Sequence, residues 1–222
     1  MLLFPTASPL WKLIFFENSI AWPAKITHES GEVYFKEYLT GLIVSEKFTV
    51  SEINSLFPDA NDQSSMNRFL TEYSWDEEKV NDMRLKFFQS HQETQYKKNC
   101  VVAIDDTIIH KTGESIEGVG WVFDHCQNKT VLGQSIVTSH YIDADVNYPI
   151  DYRFYFSKKS EYAKQAEFKS KIQLAIELIN DSVARGIEGG FVMDSWFICN
   201  EIVNEAEKHK RFIVGRIKSD RL

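Results

Sequence analysis

The spacing of apolar side chains divides the chain into a helical first part and a strand-rich second part. Over residues 34–45, apolar side chains at positions 35, 38, 39, 42 and 43 repeat with the period of one helix face. Three more helices are predicted at 49–57, 62–73 and 76–90, with Thr49 or Ser51 as N-cap of the first and Asp62 opening the second. We therefore expect an α-helical N-terminal region over residues 1–98.

The second part alternates strand-like and helix-like segments. Residues 101–104 are apolar and lead into two carboxylates, which predicts a buried strand ending at Asp106. Extended segments follow at 118–126, 131–142 and 148–156, then a helix at 163–184, a strand at 191–193, a helix at 197–208 and a strand at 211–217. The predicted fold class is α/β, a mixed sheet with crossover helices over residues 99–222. As far as the chain extends, this is the strand order of an incomplete RNase H-like fold.

Three short helices with tight connections precede that sheet, and two structures fit them. In a helix-turn-helix, the helix at 62–73 would enter a DNA major groove. Its Gln63, Asn67 and Arg68 would then face outward, where amide and guanidinium groups reach base edges. A plain three-helix bundle has the same apolar period, so the sequence leaves both open.

Composition excludes some classes of protein and leaves nucleic-acid enzymes open. With 43% hydrophobic and 26% charged residues the chain is globular, and no apolar run approaches the roughly 20 residues that cross a bilayer. We expect a cytoplasmic protein. The net charge of -7 argues against a generic polyanion-coating protein, which needs clustered Lys and Arg.

One end of the chain is locally basic. Residues 208–221 hold six basic side chains against one acidic, and they include Arg216 and Lys218. These two residues are candidate DNA contacts. An ordinary charged terminus explains the same composition equally well.

Two aspartates, Asp106 and Asp194, each follow an apolar strand. A carboxylate next to an apolar core is costly unless it is hydrogen-bonded or binds a metal. Two of them from neighbouring strand ends would suit Mg²⁺, which takes oxygen ligands. The alternative is that each Asp caps the turn that follows it.

Several segments resemble the insertion-sequence DDE transposases of the cut-and-paste type, in the same order along the chain. They are VAIDDT at 102–107, HKTG at 110–113, IEGVGW at 116–121, VTSHY at 137–141, YPIDYR at 148–153 and VMDSW at 192–196, with YLTGL at 38–42, DQS at 62–64 and NRFLTE at 67–72 in the N-terminal part. The resemblance spans roughly residues 33–222.

The resemblance implies an RNase H-like catalytic core in which acidic residues bind Mg²⁺ or Mn²⁺. Asp106 matches the first catalytic aspartate and Asp194 the second; Asp105 is the weaker candidate because adjacent strand residues point to opposite faces. The implied activity is metal-dependent DNA strand cleavage and strand transfer. The implied partners are transposon ends in DNA, where the protein would be nucleoid-associated, and further copies of itself or a full-length transposase.

The chain departs from the family pattern at the third catalytic acid. That residue is a Glu on a helix after the last core strand, and no residue here matches it. The resemblance therefore implies a truncated transposase that binds metal weakly and cuts no DNA by itself. Two functions stay open: a part of the DNA-cutting enzyme, or a non-catalytic DNA-binding or regulatory fragment.

Overall fold

The computed structural model describes residues 29–57, 62–73, 76–113, 116, 118–124, 126–158 and 168–216. The chain divides into two compact units, the first ending at Arg84 and the second beginning at Leu85. This division falls fourteen residues before the expected boundary at 98/99, inside a helix.

The described part of the first unit is helical, as predicted. Its helices are α1 (Glu29–Val44), α2 (Val50–Ser55) and α3 (Gln63–Glu72), followed by α4 (Glu77–Ser90), which crosses the division between the units. The Thr49 side chain accepts a hydrogen bond from the Glu52 backbone at 3.3 Å and caps α2; Asp62 accepts one from Ser65 at 3.0 Å and caps α3.

Buried side chains hold these short helices together. Tyr34 of α1 and Ile53 of α2 are buried, and so are Met66 and Phe69 of α3. A Cβ on Gly41 would lie 2.2 Å from the Ile53 side chain, so α1 and α2 approach each other at a residue without a side chain. Helices of 6 and 10 residues are marginal alone, and this packing stabilises them.

The second unit is built on a six-stranded mixed sheet. Its strands are β1 (Val101–His110), β2 (Gly120–Asp124), β3 (Lys129–Ile142), β4 (Asn147–Tyr155), β5 (Gly190–Met193) and β6 (Ile213–Val214). A hairpin turn joins β2 to β3, and Asn128 adopts the left-handed conformation there with φ 50°.

The strand order is that of an RNase H-like sheet, which confirms the expected α/β fold class. β3 runs antiparallel to both β1 and β4, and β5 and β6 continue the sheet parallel to β1. β2 is added at the edge of β3 that faces away from β1, because Gly133 pairs with His110 on one side and with Gly120 on the other.

Two helices cover one face of this sheet, α5 (Lys171–Ala184) and α6 (Asn200–Lys208). The core between α5 and the sheet includes Leu178 and Ile179 of the helix with Val102, Ile104 and Phe191 of the strands. None of the described helices combines the length and apolar character that crossing a bilayer requires.

Several predicted element bounds were wrong. Residues 168–170 are not helical, because the Ser170 side chain caps α5 and fixes its start at Lys171; positions 163–167 lie outside the described residues. Residues 197–199 are not helical: Phe197 closes the turn that begins at Asp194, and Cys199 is the N-cap of α6. β1 does not end at Asp106 but runs on to His110, because β3 pairs with it along its whole length.

Candidate active site

The two aspartates of β1 lie on the part of that strand that extends beyond the end of its neighbour β5. The two strands pair in parallel as far as Ile104 and Met193, both buried. β5 stops there, and Asp194 is the next residue. Asp105 and Asp106 are the first residues of β1 beyond the paired segment, so all three carboxylates lie at one edge of the sheet, at the carboxyl end of two adjacent parallel strands.

The structure places Asp106 on the face of β1 that carries α5. Alternate residues share a face, and Val102 and Ile104, which precede it on that face, pack in the core with α5. Lys171, the first residue of α5, donates from Nζ to Asp106 Oδ2 at 2.5 Å. Both side chains are partly buried, with 28% of Asp106 and 20% of Lys171 exposed. Asp106 is therefore half of a sheltered ion pair.

Asp105, set aside on sequence grounds, belongs to the same group of charges. Its own Oδ1 accepts the backbone N–H of Asp106 at 2.9 Å. Loss of solvent around the carboxyl raises the pKa of Asp105, that hydrogen bond opposes the rise, and the negative charges of Asp106 and Asp194 add to it. The charges of Asp106 and Asp194 thus act on Asp105, in agreement with the position of all three residues at the end of the paired segment of β1 and β5.

Asp194 opens the turn that leads from β5 towards α6. Its Oδ1 accepts the Ser195 backbone N–H at 2.6 Å, and its carbonyl oxygen accepts the Phe197 N–H at 3.0 Å. The turn-capping alternative considered from the sequence is thus part of what Asp194 does. The same turn holds its carboxylate at the edge of the sheet.

The donor chemistry fits a divalent cation. Carboxylate oxygens are the ligands that Mg²⁺ and Mn²⁺ prefer, and a cation would offset the repulsion among these carboxylates. Within the described part of the chain, however, no three His, Cys, Asp or Glu side chains converge as a ready metal cluster. The Asp106 carboxylate instead forms an ion pair with the Lys171 ammonium.

Sequence reasoning missed Lys171 as a site residue. The predicted helix at 163–184 placed it in the interior, where a lysine is unremarkable. The signal that could have found it is the pair Ser170 and Gln173, which is a capping-box pattern and marks Lys171 as the first helical residue.

The proposed DNA-contact residues of the first unit are exposed. Gln63, Asn67 and Arg68 lie on the solvent side of α3, with Met66 and Phe69 buried on the other side. Arg68 donates to the Ser65 hydroxyl at 3.3 Å within the same helix. These positions leave the side chains accessible to a large partner.

At the basic end of the second unit, Arg216 is exposed just after β6, and Lys218 lies outside the described residues. Two other basic residues there have partners within the protein. Lys208 pairs with Glu205 at 2.6 Å, and Arg211 donates to the backbone carbonyls of Ile187 and Glu188. Only part of that basic stretch is therefore available for DNA.

A family model described as DDE superfamily endonuclease matches residues 25–222. A comparison with curated protein sequences finds no match. Among solved structures, the Drosophila P element transposase strand transfer complex is similar with a TM-score of 0.38 and 9% identity, over 93% of this chain and 46% of that one. The Mos1 strand transfer complex follows with a TM-score of 0.31 and 13% identity, over 94% and 64%.

The chain thus spans about half to two thirds of the length of these two transposases. At such low TM-scores the likeness supports neither a mechanism nor a substrate. The family match covers most of the chain and is therefore the comparison that identifies its family.

Proposed function

Because the chain belongs to the DDE superfamily endonuclease family, we propose that it is a transposase of the insertion-sequence type that cleaves DNA at transposon ends and transfers the cut strands. The observation that best supports this is the position of Asp106 and Asp194 at the end of the paired segment of β1 and β5. Carboxylates from adjacent parallel strands can serve one phosphate-handling site.

Asp106 and Asp194 are the proposed ligands of Mg²⁺ or Mn²⁺. When bound, such ions activate a water or a 3′ hydroxyl and stabilise the leaving oxygen at phosphorus. Asp194 is oriented for this by the Ser195 N–H, and Asp105 adds negative charge beside it.

DNA is the proposed partner, and the contacts are divided between the units. Gln63, Asn67 and Arg68 would read or position the transposon end, and Arg216 and Lys218 would bind phosphates. Homo-oligomers, or mixed oligomers with a full-length transposase, would work in the cytoplasm on nucleoid DNA.

The test is a nicking assay on transposon-end DNA with the protein that contains this chain. Cleavage should require Mg²⁺ or Mn²⁺ and fall by about 100-fold or more in Asp106→Asn and in Asp194→Asn, since each removed ligand costs several kcal/mol of transition-state stabilisation at ~1.36 kcal/mol per factor of ten. Asp145→Asn is the matched control, because Asp145 is 71% exposed and pairs only with Lys97 among the ion pairs of the described residues. Undiminished cleavage in both site variants would refute the proposal.

Asp106 and Asp194 alone are expected to hold one metal ion weakly and not to support cleavage, since a second metal ion generally needs a third carboxylate. Cleavage by this chain that disappears in Asp194→Ala would show that one of its own residues supplies the third ligand. Binding of transposon ends with no cleavage in any form of the protein would instead favour the non-catalytic, regulatory alternative.

A further inference from the structure

Lys171 is held at a fixed position by the start of α5. The Ser170 hydroxyl accepts the Gln173 backbone N–H at 3.2 Å, and Gln173 Oε1 accepts the Ser170 N–H at 2.8 Å. This capping box leaves little freedom in where the helix begins. The Lys171 side chain therefore starts from a well-defined point beside β1.

That point is electrostatically unfavourable for a cation. A helix N-terminus carries a partial positive charge, so a lysine in the first turn is repelled by its own helix. The repulsion is offset by Asp106, whose Oδ2 lies 2.5 Å from Nζ, and by the Tyr155 ring, whose centre is 5.3 Å from Nζ. The Lys171 ammonium is therefore stabilised by the surrounding carboxylates, although the N-terminus of its own helix repels it.

The carboxylates of the site need a positive charge even when no metal is bound. Asp105 and Asp106 are consecutive on β1, and Asp194 directly follows the last residue of β5 that pairs with β1, so three negative charges lie at this end of the two strands. A lysine on four flexible carbons can supply this charge and still move away.

We propose that Lys171 is a positioning residue that stands in for the divalent cation: it neutralises Asp106 in the metal-free protein and is displaced from it when the cation binds. This inference rests on the proposed function. An ammonium and a divalent cation carry like charges and repel each other strongly at Asp106 Oδ2, so binding of the cation favours departure of the ammonium. The exchange keeps the site ordered and charge-balanced between metal-bound states.

The first test is Mn²⁺ binding by the full 222-residue chain, measured by isothermal titration calorimetry at constant pH and ionic strength. Lys171→Met removes the competing charge and should bind Mn²⁺ roughly tenfold more tightly than the wild type, a difference of about 1.4 kcal/mol. Lys171→Arg restores the charge and should return the affinity towards the wild-type value.

Lys169→Met is the matched control. Lys169 lies two residues earlier in the same segment, and its Nζ contacts Glu177 at 2.5 Å instead of Asp106. The variant makes the same change in net charge, and its Mn²⁺ affinity should stay within about twofold of the wild type. A rise in Lys171→Met alone therefore reports the contact with Asp106 and not the overall charge.

A second measurement needs no variant and applies even if Lys171→Met does not fold. Acetylation of lysine amines in the wild type, quantified by mass spectrometry, should increase at Lys171 by about threefold or more at saturating Mn²⁺ and stay unchanged at Lys169. Release from the ion pair exposes the amine to the reagent.

The outcomes separate this inference from the proposed function. Mn²⁺ binding that is lost in Asp106→Asn but equal or weaker in Lys171→Met, or Lys171 acetylation that does not respond to Mn²⁺, would overturn the inference and leave the proposed function standing. Failure of Mn²⁺ to bind both to the 222-residue chain with its variants and to the protein that contains this chain would overturn both.

Discussion

Asp143, in the turn between β3 and β4, shows how one side chain can fix the geometry of a sheet. Its Oδ1 accepts the backbone N–H groups of Asp145 and Val146 at 2.7 and 2.9 Å, and its Oδ2 accepts the Tyr141 hydroxyl at 2.9 Å. The Lys97 ammonium is 3.3 Å away. With 1% of the side chain exposed, this carboxylate is ionised inside the protein because its hydrogen bonds replace water.

This environment makes the contribution of Asp143 to stability dependent on pH. Desolvation acts to raise its pKa, but the hydrogen bonds and Lys97 outweigh it and lower the pKa of Asp143 to about 2. Since the folded pKa is below the unfolded value of about 3.9, the stabilisation is complete above roughly pH 5 and is lost as the pH falls towards 2. Asp143→Asn should therefore cost about 2 kcal/mol in urea unfolding at pH 7 and about half of that near pH 3.

The control for this experiment is Asp145→Asn, which removes an exposed partner of the same lysine. A surface pair of this kind is worth about 0.5 kcal/mol or less. A loss in Asp143→Asn that stays constant from pH 7 to pH 3 would contradict the assigned origin of its stabilising effect.

At the scale of the element, β5 is inserted so tightly beside β1 that a methyl group does not fit. A Cβ on Gly189 would lie 2.3 Å from the Cys100 carbonyl oxygen, and one on Gly190 would lie 2.3 Å from the Phe212 ring. The first of these contacts is with backbone, which cannot yield without moving the strands. This close approach sets the register that puts Asp194 level with the aspartates of β1.

Gly189→Ala should consequently destabilise the protein by about 1–3 kcal/mol, the usual cost of overpacking. Because the register of β1 and β5 would also shift, Mn²⁺ affinity should fall in the same variant. Gly120→Ala is the control, since its Cβ would meet no atom within 4 Å. Equal unfolding free energies for the two variants, measured in urea, would rule out this account of β5.

The predicted start of helix α5 was wrong for an identifiable reason. Phe168 continues the helical period of Ile172, Ala175 and Ile176, and the sequence argument followed that period. The capping box of Ser170 and Gln173 is a stronger local signal, because it satisfies backbone groups that the first turn leaves unpaired. A capping search would have placed the helix start correctly.

At the scale of the whole molecule, this acidic protein is proposed to bind DNA, which is also negatively charged, through exposed polar side chains of α3. Arg68→Gln should weaken binding of transposon-end DNA by the full chain about three- to tenfold and reduce the slope of log affinity against log salt by about one. Fluorescence anisotropy at several salt concentrations would measure both quantities.

Lys79→Gln is the matched control for charge in the same half of the chain, because Lys79 is 60% exposed and lies on α4, where it pairs with Asp76. Its DNA affinity should match the wild type. Identical salt slopes for wild type and Arg68→Gln would remove α3 from the DNA interface.

The sequence by itself determined the order and type of the elements, the sheet class, and the position of Asp106 on one core strand and of Asp194 directly after another. These features depend on local rules, since apolar period, caps and turn residues act within a few positions of one another. The structure alone decided that β1 extends past β5, that Asp105 shares the charge of the site, and that Lys171 meets Asp106 from 65 residues away. Those features depend on strand register and on side chains brought together by packing, and no local pattern in the chain encodes a distance between segments so far apart.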